Sequence, residues 1–75
     1  MMSRGDVAKM RFRDVQENRH LTVRDVEWRG AAGCWAITFV EHFATVYVHR
    51  DALEDASFGP DVWITGHDIE VRHVT

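Results

Sequence analysis

Large apolar side chains in this chain recur at every second position, in short runs broken by turn-forming residues about every ten positions, and that period selects strands over helices. The clearest run is Cys34 to Val40, where Trp35, Ile37 and Phe39 share one face and Cys34, Ala36, Thr38 and Val40 share the other. Apolar or small residues on both faces place this strand centrally in a sheet. An earlier run, Val7 to Val15, sets Ala8, Met10 and Phe12 against Lys9, Arg11 and Arg13, the pattern of a half-buried strand. Gln16 to Arg19 reads as a turn. Beyond it Leu21 and Val23 share a phase that slips to Val26 and Trp28, as a β-bulge near Arg24-Asp25 produces.

Gly30-Ala31-Ala32-Gly33 supplies a four-residue hairpin loop into the central strand. After a Glu41-His42 turn, Phe43 to His49 alternates again, with Val46 and Val48 opposite Thr45, Tyr47 and His49. Asp51 and Glu54 have the spacing of a capping box, which predicts one short helix over 51–58 with Leu53, Ala56 and Phe58 inward, stopped by Gly59-Pro60. Strands over Val62 to Thr65 and Ile69 to Val74, joined through Gly66-His67-Asp68, complete the layout.

A chain of 75 residues is one domain. It buries only about 60% of the surface exposed by its unfolded form, so most large apolar side chains belong to the core and little room is left for an apolar ligand. The expected fold is mainly β, a five- to six-stranded antiparallel barrel or curved sheet of SH3-like or OB-like architecture with the one helix. A lone cysteine, Cys34, forms no internal disulfide, and together with the lack of an apolar leader after Met1 to Asp6 it points to a cytoplasmic protein. The longest uncharged run, Gly30 to Val40, is far shorter than the ~20 residues of a membrane helix.

Net charge is −3, without the positive excess of a strong nucleic-acid binder. Its distribution is uneven: residues 1–30 carry seven basic and five acidic residues, a net of +2, and residues 31–75 carry two and seven, a net of −5. Lys9, Arg11 and Arg13, joined by Arg24 and Arg29 from a neighbouring strand, would form a basic stripe suited to a phosphate backbone. The competing account is a solvated strand face paired with Asp14, Asp25 or Glu27.

Chemistry-bearing motifs are scarce. Cys34 opens an apolar strand and reads as a small buried residue, and the 30–33 loop lacks the Lys-Ser/Thr ending of a phosphate loop. The five histidines have no diagnostic metal spacing, although strand pairing places His49 toward His73; neither metal nor cofactor is expected. These observations point away from an enzyme. They favour a non-enzymatic protein-interaction module, a small adaptor, regulator or phage-type inhibitor, with Trp28 and Trp63 as candidate anchors and Asp55 and Asp61 as candidate charged contacts. The alternative is a small nucleic-acid-binding barrel that uses the basic residues. A homodimer is also expected, because the second face of the central strand, with Ala36 and Val40, is apolar.

Overall fold

Serine at position 3 caps the first helix. Its hydroxyl accepts from the Asp6 amide at 3.1 Å while the Asp6 carboxylate accepts from the Ser3 amide at 2.9 Å, a reciprocal cap that nucleates helix α1, Arg4–Ala8. The bond donated by the Ser3 amide to the carboxylate is the largest of the causes that hold the Asp6 carboxyl below its ordinary pKa. The computed structural model describes residues 2–42, 44–56, 61–65 and 68–70, with backbone alone at 65 and 68–70.

The strand expected over Val7 to Val15 is therefore two pieces: α1, whose Val7 is wholly buried, and strand β1, Phe12–Asp14. Alternating polarity over so few residues does not separate a strand from one turn of capped helix, and the local cap decides. After β1 the Asp14 side chain accepts the amides of Gln16 and Glu17, and Asn18 takes positive φ, so the chain reverses into β2, Arg19–Leu21. Only Thr22 separates β2 from β3, Val23–Arg29, and the pairing register shifts between Val23 and Asp25, where the bulge is expected. The bend is clamped from outside. Both carboxylate oxygens of Glu41 accept from Thr22, one from its amide at 2.7 Å and one from its hydroxyl at 2.8 Å, and these bonds, the amide first, lower the Glu41 pKa.

The 30–33 loop leads into β4, Cys34–Phe39, with Gly33 at φ +65°. β5 spans Val46–His49 and runs directly into α2, Arg50–Ala56; β6 is Val62–Thr65 and β7 is Asp68–Glu70. Helix α2 starts ahead of the expected Asp51 cap, and the His49 ring, through Nδ1, accepts the Asp51 amide at 3.2 Å instead. The remainder of the expected helix, 57–60, the 66–67 turn and the end of the last strand, 71–75, lie outside the described residues.

The strands form two sheets, β2-β1-β6-β7 and β3-β4-β5. The architecture is mainly β, with three differences from expectation, the first being seven strands among the described residues in place of five or six. A second helix, α1, is present, and β1 pairs with β6 in parallel, so the first sheet is mixed. The parallel partners β1 and β6 are separated in sequence by β2 to β5 and α2, so the chain visits the second sheet and the helix before it returns to pair with β1. The bent β2–β3 segment belongs to both sheets, and at the opposite margin β7 lies against β5 and α2. Among the described residues the hydrogen-bonded ladder does not close into a barrel. Phe12, Leu21, Val26, Trp35, Ile37, Phe39, Val46, Val48, Val62 and Ile64 meet between the sheets, with Val7 and Leu53 from the helices. Phe12 and Phe39 pack edge to face with centroids 5.1 Å apart, one from each sheet.

Candidate interaction site

The loop end of the β3–β4 hairpin carries the exposed aromatic surface. Trp28 and Trp35 are register partners on the inner face, their ring centroids 4.9 Å apart at 54°. They divide the roles of core and surface. Trp35 is 5% exposed and Trp28 is 42% exposed, because Trp28 lies on the edge strand, one residue from the turn. Gly30 lets the loop fold over the indole, since a Cβ there would stand 3.3 Å from Trp28 Nε1. Tyr47, on the outer face of β5, is 54% exposed. Trp28, Tyr47, Arg29 and Cys34, with loop residues 30–32, border a shallow depression of about 490 Å³. On the inner side Trp28 also borders a smaller cavity of about 250 Å³, shared with Met2, Arg4, Trp35, Arg50 and Glu54.

Cys34 stands opposite His49 in the β4–β5 register, and His49 Nδ1 lies 3.7 Å from the Asp51 carboxylate. The order Cys, His, Asp invites comparison with a nucleophile, its base and an orienting acid. The ring's hydrogen bonding opposes that comparison. Nδ1 engages the Asp51 amide at 3.2 Å, whereas the Asp51 carboxylate, 3.7 Å away, is beyond the hydrogen bond that an orienting acid would make. Cys34 itself is half-buried. No group of three or more His, Cys, Asp or Glu side chains is placed to hold a metal ion among the described residues; His73 lies outside them.

The other anchors expected from sequence are dispersed. Trp63 lies on the mixed sheet, half-buried, with the Arg13 guanidinium carbon 5.4 Å from its ring centroid. Asp61 is drawn inward, its side chain 15% exposed and Oδ1 3.3 Å from Arg11 Nε. Asp55 is exposed on α2. Trp28 and Trp63 thus stand on different sheets and have different neighbours.

Comparison with family models, with curated proteins and with solved structures returned no match.

The basic residues do not line up on one strand face. Lys9 caps the C-terminus of α1, and the neighbours of β1 are β2 and β6, so Arg24 and Arg29 on β3 lie in the other sheet. Arg13 is hydrogen-bonded to Asn18 and stacked on Trp63, while Arg11 faces Asp61 and Arg29 faces Glu27. No helix among the described residues is long and apolar enough to cross a membrane. Tyr47 is the residue that sequence reasoning left out of the site. Its outward direction follows from alternation with Val46 and Val48, but its closeness to the hairpin loop depends on the β4–β5 register.

Proposed function

We propose that this chain is a non-enzymatic protein-interaction module, a small adaptor, regulator or phage-type inhibitor that covers part of a protein partner with its hairpin end. The observation that carries this reading is the pair of exposed aromatics, Trp28 and Tyr47, bordering a depression lined by small residues. Aromatic rings that are part rooted in the core and part exposed are frequent binding anchors. A partner offering an apolar protrusion suits this surface, whose charged border residue, Arg29, is already paired with Glu27. Asp55 remains available for a basic contact at a rim. Trp63 and Asp61, held by Arg13 and Arg11, rank behind Trp28.

Chemistry on a small molecule fits less well. The inner cavity, at about 250 Å³, falls below the ~300–1,000 Å³ usual for ligand pockets, the depression of about 490 Å³ is within that range but shallow, and the Cys34–His49 pair lacks the carboxylate hydrogen bond that would orient a base. An SH3-like or OB-like barrel is the scaffold we favour, supported by the β2–β3 bend and the approach of β7 to β5.

Affinity capture from a lysate with wild type, Tyr47→Ala and Trp28→Ala, beside titration with single- and double-stranded oligonucleotides, tests the reading. A stoichiometric partner retained by wild type and lost by folded Tyr47→Ala is expected. Oligonucleotide binding that disappears on neutralising Arg11 and Arg13 would replace this function by the nucleic-acid alternative. A partner indifferent to both aromatic variants would refute the assigned surface.

A further inference from the structure

Strand β3 ends its sheet, and among the described residues no other strand pairs with its second margin. The direction of its backbone groups follows from the pairing. The Arg50 amide donates to the Gly33 carbonyl, so odd-numbered residues of β4 face β5 and even-numbered ones face β3. Cys34 and Ala36 therefore bond to their partners Arg29 and Glu27, and the backbone of Val26 and Trp28 turns outward, away from the sheet. An outward margin of this kind is a template for another strand.

One side chain closes it. Arg4 Nε donates to the Val26 carbonyl at 2.7 Å, and Nη2 of the same guanidinium lies 3.1 Å from the Asp25 carboxylate. Arg4 is held there by α1, which packs on β3.

We propose that the outer margin of β3 is a site of antiparallel pairing with a second copy of this chain, and that Arg4 competes with the second copy for it. Charge and strand length together select occupant and register: Trp28 opposite Trp28 would also pair Glu27 with Arg29, but it carries Val26 opposite Gly30, past the end of β3. On the outer face β3 reads Asp25, Glu27, Arg29, and placing Val26 opposite Trp28 of the second copy sets Asp25 opposite Arg29 twice, with Val26 and Trp28 both bonded through their outward backbone groups. Only Glu27 meets its own kind, and each Glu27 already has Arg29 of its own strand at 3.5 Å. Moving the register so that Val26 meets Val26 sets Asp25 opposite Glu27 twice and is disfavoured. Arg4 occupies the Val26 carbonyl and the Asp25 carboxylate, two of the groups that the paired register uses. Trp28 and Arg29 border both this margin and the proposed partner surface, whereas Tyr47 lies on β5, so loss of a partner in Tyr47→Ala and loss of self-association in the Asp25 variant remain separate readouts.

Sedimentation equilibrium of the full chain tests it, with circular dichroism confirming the fold of each variant. Removing a charged donor from the Val26 carbonyl should tighten self-association by about tenfold in Arg4→Ala. Arg4→Gln should behave alike and serves if Arg4→Ala does not fold. Adding Asp25→Arg to the Arg4 variant should abolish the gain, and adding Arg29→Asp to that pair should restore it. Amide exchange at Val26 and Trp28 should slow on association. An Arg4 variant that associates no more tightly than wild type, or one whose association is indifferent to Asp25→Arg, overturns the proposal.

Discussion

Leu53→Ala measures how firmly α2 is seated between the sheets. Leu53 is fully buried on a helix of two turns at most, and no basic residue in its last turn offsets the helix dipole. So short a helix is not stable alone, and its order depends on the Leu53 and Ala56 contacts. The substitution removes three carbons, about 2.4 kcal/mol of transfer free energy at about 0.8 kcal/mol each. A cavity term raises the loss to about 3–5 kcal/mol. A domain of 75 residues has about 4–11 kcal/mol in total, so about a quarter or more of its stability would go. In urea, with m about 1 kcal/mol/M, the midpoint should fall by about 3 M or the variant should be unfolded without denaturant. Leu53→Met, which conserves volume, should lose less than about 1.5 kcal/mol and keeps the series measurable. A Leu53→Ala loss below about 1 kcal/mol, with m unchanged, would refute the reasoning, because α2 would then not depend on this side chain for its place on the core.

Three further outcomes are expected. In a carboxyl titration followed by NMR, Glu41 should protonate below the ordinary glutamate value; its stabilising contribution is full above that value and disappears as pH falls through the lowered pKa. Thr22→Val should raise the Glu41 pKa only partway, because the amide bond that causes most of the shift remains, and a complete return to the ordinary value would contradict the assigned cause. Gly33→Ala should cost about 1 kcal/mol in chemical denaturation, from positive φ alone, since the new Cβ would meet His49 Nε2 at an ordinary 3.6 Å; a neutral result would mean that the turn re-forms with another geometry. A double-mutant cycle on Arg13→Ala and Trp63→Leu should give a coupling of about 0.5–1 kcal/mol, and strict additivity would show that the stacked guanidinium contributes nothing.

What the sequence discloses of this fold divides along the range of the interaction concerned. Alternation places Trp35, Ile37 and Phe39 in the core and Tyr47 outside, and the phase slip after Val23 locates the bulge, because side-chain period and backbone register are local properties. The hairpin loop follows equally directly from the two glycines. Helix α1 was legible too, in Ser3 and Asp6, but the alternation running on from Val7 outweighs a cap read over so few residues. At the site, Trp28 is identifiable as a strand-end aromatic. Its companion Tyr47 is not, because β4 must first bring the two neighbouring strands together.

The parallel pairing of β1 with β6 shows why the charge pattern along the sequence misleads. Read linearly, residues 1–30 are basic and the remainder acidic, which suggests two opposed patches. The ladder instead lays Arg13 beside Trp63 and bonds the Val62 amide to the Arg11 carbonyl at 2.7 Å, so Asp61 arrives next to Arg11. The mixed sheet thus internalises part of the polarity, and exposed pairs such as Arg4–Asp25 and Arg29–Glu27 satisfy more of it inside the basic half. Each exposed pair is worth only about 0–1 kcal/mol. Their consequence is for recognition. A phosphate backbone would have to draw Arg11, Arg13 and Arg29 away from partners they already have, whereas the aromatic surface at Trp28 and Tyr47 can be covered without breaking any of those pairs. Competition of this kind, more than the net charge, is what weighs the function toward a protein partner.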